Sequence, residues 1–172
     1  MTQSPPSIPL SILLTIVLCC IIHLTTYILT IPLSTLSFNP RLILFSFQIW
    51  RCFTSAYAHG GILHLAFNMS TTIYIQGDLE RKHGTLPMAH LILLLIPLSS
   101  IIYLTTALLL QPISPTSLYQ PSVGYSGVLF SFLHLHSVEV RERSLYGYVN
   151  VPGWMYPWVL LVAISVVMPD VR

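Results

Sequence analysis

The sequence predicts an all-α fold, a polytopic bundle of membrane-spanning helices. Charged residues make up only 7% of the 172 residues and hydrophobic residues 54%, and the mean hydropathy is +0.77. A soluble domain typically carries about a quarter charged residues. The apolar residues also form separate runs near the roughly 20 residues that a helix needs to cross a bilayer core. The chain is therefore expected to be a multi-pass integral membrane protein.

The first apolar run covers residues 8–31 and contains no charged side chain. It is predicted to be a spanning helix that closes at Pro32, because proline cannot continue a regular helical ladder. The next stretch, 32–58, is too polar to span. Trp50 and Arg51 near its end suit the headgroup region, so we expect an interfacial loop with short helices.

The second predicted span, 59–77, is unusually polar for a membrane helix. A short charged turn, 78–84, is expected after it, with Gly84 as the end of the helix. The third span is predicted over residues 86–110, and a loop rich in proline and serine follows it.

The last two spans are predicted at 124–136 and 152–168, and a second charged connection, 137–148, joins them. Trp154 and Trp158 begin the fifth span and fit the aromatic belt of a membrane interface.

Charge and cysteine content exclude several classes of partner and cofactor. The net charge of +2 is too small and scattered for nucleic acid, so none is expected as a partner. The three cysteines form no CxxC pair, and no histidine pair has carboxylates at a metal-binding spacing. We therefore expect no cofactor and no metal.

Polar residues cluster in the second predicted span. His64 and Asn68 are four residues apart and share one helix face, and His59 lies five residues earlier on the same predicted helix. Ionisable residues inside a membrane usually face the bundle interior or a water-filled cavity. The cluster fits a chemical site, but it also fits helix packing, because asparagine and histidine can hydrogen-bond across helices.

A serine between two glycines opens the fourth predicted span. Gly124 and Gly127 flank Tyr125 and Ser126 and permit close approach of the backbone. Free backbone N–H groups at a helix N-terminus can stabilise an oxyanion in acyl transfer. Taken alone, the pattern also fits small-residue helix packing.

Four strings together give the chain a resemblance to the rhomboid family of intramembrane serine proteases. In order, they are Trp50–Thr54, His59–Asn68, Leu79–Thr85 and Gly124–Gly127. The second resembles the HxxxxHxxxN motif of that family, and the fourth resembles its GxSG nucleophile motif. Order and spacing agree over residues 8–171, and the chain looks most like the fungal rhomboid protein 2 group.

The resemblance implies a role for each site residue. Ser126 would be the nucleophile. His64 and Asn68, with the Ser126 backbone N–H, would form the oxyanion hole, and His59 would support them. Phe130 matches the position at which the family places an aromatic ring against its catalytic histidine.

The resemblance also implies a general base, which the family places in a Gly-His element on a sixth helix. The sequence ends at Arg172, where that helix should begin. We therefore expect a single rhomboid-like domain, residues 1–172, with five of the six core helices and an incomplete C-terminal end. As written, the chain is expected to be catalytically inactive or nearly so, because this histidine is missing and a serine–histidine catalyst without one member keeps only residual activity.

The implied function is a serine endopeptidase that cleaves transmembrane segments of other membrane proteins. Its partners would be those substrates and the lipid bilayer, and its location an endomembrane, in the Golgi or endoplasmic reticulum. The alternative is a non-catalytic rhomboid-like protein that binds transmembrane clients. A small transporter or channel component fits less well, because no internal repeat and no half-helix pair is visible.

Overall fold

The structure, a computed structural model, describes residues 8–138, 141–145 and 147–167. Most of these residues are helical, as the fold class predicted, and one β-hairpin is added. The helices are α1 (Leu10–Ile28), α2 (Pro40–Ser46), α3 (Arg51–Tyr57), α4 (Ile62–Thr71), α5 (Gly77–His83), α6 (Thr85–Leu110), α7 (Ser126–Val138) and α8 (Tyr156–Val167). The hairpin consists of β1 (Glu142–Leu145) and β2 (Val149–Pro152).

Within the described residues, two helices are long and apolar enough to cross a membrane. They are α1, with 19 residues, and α6, with 26. Two further apolar helical segments are shorter. One is α7, and the other, Gly153–Val162, consists of a 3-10 turn and the first residues of α8. Large apolar side chains on the two long helices remain exposed, among them Leu14 and Leu109. Hydrocarbon tails would cover such side chains, because a bilayer core is as apolar as leucine.

The helix of the second predicted span continues beyond Gly77, where that span was expected to end. A π-helical segment, Thr72–Gln76, joins α4 to α5, so the predicted charged turn at 78–84 is wrong: it is helical up to His83. Asp78 of α5 pairs with Arg81 at 2.7 Å, because residues three apart are neighbours on a helix surface. The predicted end at Gly84 is correct, with φ at +90°.

His59 does not lie on the helix that carries His64 and Asn68, which corrects the predicted stripe. The helix begins only at Ile62, after Gly61, whose φ of −172° and ψ of 165° are those of extended chain. Extended backbone interrupts the i,i+4 hydrogen-bond ladder, so His59 approaches the site from a loop.

The charged connection after α7 contains the β-hairpin. The two strands are antiparallel, with Glu142 opposite Pro152 and Leu145 opposite Val149. The backbone N–H of Gly153 donates to the Arg141 carbonyl at 3.1 Å, which closes the hairpin against the next element. Because Pro152 is held in a strand and Gly153–Met155 form a 3-10 turn, α8 begins at Tyr156, four residues after the start of the predicted span.

Glu80 caps the N-terminus of α1 from the neighbouring helix α5. Its carboxylate accepts from the backbone N–H groups of Ser11 at 3.0 Å and Ile12 at 3.3 Å, and from the Ser11 hydroxyl. The side chain is only 3% exposed. Burial raises the pKa of the Glu80 carboxyl, but hydrogen bonds from Ser11, Thr85 and Ile12 outweigh it and hold that pKa below its usual value.

The loop between α1 and α4 folds around a buried arginine. Arg51 donates from Nη1 to the carbonyls of Ser34 and Ser37, both at 2.7 Å, and from Nε to Gln48 Oε1 at 2.6 Å. The short helices α2 and α3 lie in this loop, as the sequence predicted. Arg51 therefore joins the segment around Ser34 and Ser37 to α3.

Candidate active site

Ser126 is the first residue of α7, and backbone hydrogen bonds fix the segment before it. Phe38 and Ser122 exchange two of them, at 2.8 and 3.0 Å, and the N–H of Gly124 donates to the Ser55 carbonyl at 2.8 Å. The loop that follows α6 is thus held against the interfacial loop. At the first position of a helix, the Ser126 backbone N–H has no intrahelical acceptor and is available to a ligand.

The His64 imidazole and the Ser126 hydroxyl converge at Gly124. A Cβ atom on Gly124 would lie 2.8 Å from His64 Cε1 and Nε2, and 3.8 Å from Ser126 Oγ. The imidazole therefore fills the space that a side chain would need. Gly124 also has a φ of +115°, a conformation that residues with a Cβ rarely adopt. The two chemical groups predicted from separate strings are brought together here.

His59 packs on His64 from the other side. The two rings meet edge to face, with 5.2 Å between centroids and 69° between planes. His59 is 3% exposed, its Nδ1 lies 3.2 Å from the Tyr57 carbonyl, and its Nε2 is buried without a partner among the described residues. Nδ1 of His23 on α1 donates to the His59 carbonyl at 3.3 Å. His59 thus supports the imidazole of His64 by contact.

Asn68 is buried on α4, but its amide is already engaged. Nδ2 donates to the His64 carbonyl one turn earlier at 2.8 Å, and Oδ1 has no partner among the described residues. In this arrangement the amide N–H serves the helix backbone. A contribution to an oxyanion hole would need a rotation of the side chain.

The other two predicted positions shape the helix that carries the serine. A Cβ on Gly127 would lie 3.5 Å from the Cβ of Ser99, so α7 packs closely on α6 at this point. Phe130 is partly buried and packs against the core cluster formed mainly by α6 and α7.

The Ser126 hydroxyl makes no hydrogen bond within the part of the chain that the structure describes. His64 faces it across Gly124 but lies outside hydrogen-bond distance, and no other described histidine bonds to it. In the same residues no group of three or more His, Cys, Asp or Glu side chains is placed to hold a metal.

Sequence reasoning missed one buried polar contact beside the nucleophile. Tyr125 is 0% exposed and donates its hydroxyl to Gln76 Oε1 at 3.3 Å. Its ring stacks on Tyr57, with 6.1 Å between centroids. Gln76 itself was a signal, because a glutamine inside an apolar run usually has a buried partner.

The arrangement offers two of the elements that acyl transfer needs. A carbonyl carbon placed next to Ser126 Oγ could direct its oxygen towards the free backbone N–H of Ser126 and the His64 imidazole. Donors positioned for a developing oxyanion are often the largest contribution to catalysis of this kind. A general base for the hydroxyl is the third element, and the described residues do not place one.

Comparison with known proteins gives consistent matches. A profile of the rhomboid domain matches residues 46–171. The chain is 33% identical over 141 residues to Rhomboid-like protein 15 of Arabidopsis thaliana, which covers 78% of this chain and 35% of that protein. It is 31% identical over 142 residues to Rhomboid-like protein 14, mitochondrial, of the same plant, covering 80% and 42%.

A mammalian protein matches as well. Rhomboid-related protein 4 of Mus musculus is 33% identical over 130 residues, which cover 69% of this chain and 39% of that protein. The chain thus spans between 35% and 42% of the length of these three relatives.

Proposed function

Since this chain belongs to the rhomboid family, we propose that it is an intramembrane serine endopeptidase with Ser126 as its nucleophile. The observation that carries the proposal is the meeting of the His64 imidazole and the Ser126 hydroxyl at Gly124. A packing role alone does not need a glycine whose missing side chain makes room for an imidazole beside a serine. The residue roles given below are part of this proposal.

The proposed reaction is acyl transfer to the serine and then to water. Ser126 Oγ attacks a peptide carbonyl and gives up its proton to a general base. In the rhomboid family this base is a histidine, and none of the seven histidines of this sequence is placed to act as it; without such a histidine, water takes the proton in the slow residual reaction. The resulting oxyanion receives hydrogen bonds from the Ser126 backbone N–H and from His64, with Asn68 joining after its side chain rotates. Collapse of the tetrahedral intermediate breaks the C–N bond, and the amine leaves with the proton held by the base. Water then hydrolyses the acyl-enzyme.

The substrates proposed are transmembrane segments of other membrane proteins. Backbone carbonyls in a membrane helix are hydrogen-bonded internally, so the scissile bond must lie where the helix can unwind. Helix-breaking residues near the interface meet that requirement. The half-buried position of Ser126 at a helix end suits such a bond.

The test is cleavage combined with covalent labelling of the serine. The purified chain is reconstituted in lipid and given a transmembrane peptide that carries a fluorophore and a quencher, and a parallel sample is treated with a fluorophosphonate. We expect slow, residual cleavage and a single labelled peptide containing Ser126, both lost in Ser126→Ala. The rate is low because no described histidine is placed as the base, and a serine catalyst without its base keeps only residual activity. Ser131→Ala is the matched control, since Ser131 lies on the same helix and only donates to the Gly127 carbonyl at 2.9 Å. Absence of both signals in the wild type would refute the proposal.

A second candidate is a non-catalytic protein that binds transmembrane clients. Two observations favour it: the Ser126 hydroxyl has no base within hydrogen-bond distance among the described residues, and the Asn68 amide donates to its own helix. Large side chains on α4 and on the π-helical segment after it are exposed, among them Leu63 at 73% and Tyr74 at 74%. If the transmembrane peptide binds equally to the wild type and Ser126→Ala without being cut, this candidate replaces the first.

An endomembrane location, in the Golgi or endoplasmic reticulum, is also part of the proposal and rests on the resemblance to the fungal rhomboid protein 2 group. The name of one relative places that relative in mitochondria. A fluorescent fusion imaged with markers for the three organelles separates the cases, and co-localisation with the mitochondrial marker alone would reject this part.

A further inference from the structure

A line of hydrogen-bonded, buried polar side chains runs from Tyr125, the residue before Ser126, to the N-terminus of α1. The Tyr125 hydroxyl donates to Gln76 Oε1 at 3.3 Å, and Gln76 Nε2 donates to Ser11 Oγ at 3.1 Å. The Ser11 hydroxyl in turn donates to the Glu80 carboxylate. Each donor therefore points away from Tyr125, and the line ends on a group that only accepts. We call these four residues the polar file.

The polar file is buried where burial of polar groups is expensive. Tyr125 and Gln76 are both 0% exposed, and Ser11 is 5% exposed. Unpaired, such groups are strongly destabilising inside a membrane protein. An apolar pair would fill the same space without that risk, so the hydrogen bonds are expected to fix a geometry.

The π-helical segment determines where Gln76 points. Gln76 is the last residue of Thr72–Gln76, the segment in which the helix has the wider i→i+5 pattern. Segments of this kind are rare and occur frequently at functional sites. The wider turn changes the angular position of the residues that follow it. It brings the Gln76 amide between α1 and α7, where it reaches Ser11 on one side and Tyr125 on the other.

We infer that Gln76 and Tyr125 are positioning residues that hold Ser126 in its reactive orientation, an inference that rests on the proposed function. Tyr125 is joined to Ser126 by a peptide bond, so its side chain sets the direction in which α7 begins. Hydrogen bonds hold the Gly124–Ser126 turn on two sides. The Gly124 N–H is bound to the Ser55 carbonyl, and the Tyr125 hydroxyl to Gln76.

A purely structural role predicts a different result from a positioning role. If the polar file only joins helices, its loss lowers the unfolding midpoint and leaves the folded protein as reactive as before. If it positions Ser126, the reaction slows in protein that is still folded. A misplacement of about 1 Å can cost about 100-fold in rate.

The experiment uses Tyr125→Phe, Gln76→Leu and the double variant in the reconstituted chain. The rate of Ser126 labelling is measured over a range of fluorophosphonate concentrations, with the thermal unfolding midpoint of each sample. Ser100→Ala is the control, because the Ser100 hydroxyl is also buried and hydrogen-bonded, to the Ile96 carbonyl at 3.0 Å, but has no link to Tyr125.

We expect the maximal labelling rate of Tyr125→Phe to fall about tenfold, while the probe concentration at half-maximal rate stays unchanged. The double variant should be no slower than the slower single variant, because both substitutions remove the same hydrogen bond. Ser100→Ala should lose stability and keep its rate. Wild-type labelling rates in folded Tyr125→Phe would overturn the inference. A wild type that does not label at Ser126 would instead overturn the proposed function, and the inference with it.

Discussion

Gly124→Ala is the substitution whose effect follows most directly from the site geometry. Alanine at this position must adopt a φ of +115°, which costs on the order of 1–3 kcal/mol for a residue with a Cβ. The new methyl group would also lie 2.8 Å from two atoms of the His64 ring. Overpacking of this kind costs about 1–3 kcal/mol. The expected loss of stability is therefore about 2–6 kcal/mol.

His64 has little freedom to move away from the new methyl group. The His59 ring lies against it, with 5.2 Å between the centroids. The imidazole must then rotate or shift, and its distance from Ser126 changes. We expect the unfolding midpoint and the labelling rate of Ser126 to fall together in reconstituted samples, with unfolding followed by intrinsic fluorescence.

Gly61→Ala is the matched control for this substitution. Gly61 has an extended backbone, with a φ of −172°, and a Cβ there would meet no atom within 4 Å. Combining Gly124→Ala with His64→Ala should remove the overpacking and leave only the backbone cost. The reasoning is refuted if Gly124→Ala is as stable and as reactive as Gly61→Ala.

Two further predictions concern buried charges away from the nucleophile. The pKa of Glu80 is lowered in the folded protein, so its contribution to stability is present at neutral pH and is lost as the pH falls below about 4.3. Unfolding midpoints measured from about pH 6 to pH 3.5 should show this loss in the wild type and not in Glu80→Gln; equal slopes would contradict it. Arg51→Lys should cost about 1–3 kcal/mol and speed proteolysis of the segment 33–57, because a lysine cannot replace three donors in a planar fork. An unchanged cleavage rate in limited proteolysis would contradict that reason.

The fold class and the meeting of the two site motifs could be predicted from the sequence. Composition alone indicates a helical membrane bundle, since so few charged residues cannot cover a soluble surface. His64 and Ser126 lie in different apolar runs, and polar groups in such runs tend to face the bundle interior. The family resemblance then indicated which of them meet.

The start of the helix that carries His64 could not be predicted. Hydropathy is continuous across Gly60 and Gly61, so the apolar run gives no sign that the backbone there is extended. The sequence therefore predicts that His59 lies on the helix of His64, whereas in the structure His59 reaches the site from the loop before α4. From the loop, the His59 ring meets the His64 ring edge to face.

The two charged connections, 78–84 and 137–148, differ from the sequence prediction for another reason: one is helical and the other contains a β-hairpin. Low hydropathy predicts a turn at 78–84, but Leu79 and Glu80 are buried there and Asp78 pairs with Arg81 along a helix. Short polar helices and short strands give weak periodic signals over so few residues. Their structure depends on tertiary contacts, such as the Glu80 cap on α1, that no local pattern contains.

The polar file was beyond sequence reasoning because it depends on the π-helical segment. An α-helical count through the segment would give Gln76 a different angular position, and nothing in Thr72–Gln76 marks the wider turn. Buried polar residues could be identified from the sequence. Their partners could not.

Cleavage of a transmembrane peptide in reconstituted bilayers tests the central claim most directly. The claim is that Ser126 hydrolyses a peptide bond within the membrane. Mass spectrometry of the products should locate a single cut in the transmembrane segment, made by the wild type and by Ser131→Ala but not by Ser126→Ala. Intact peptide in all three samples, bound with equal affinity, would contradict the claim and identify the chain as a binder of transmembrane clients.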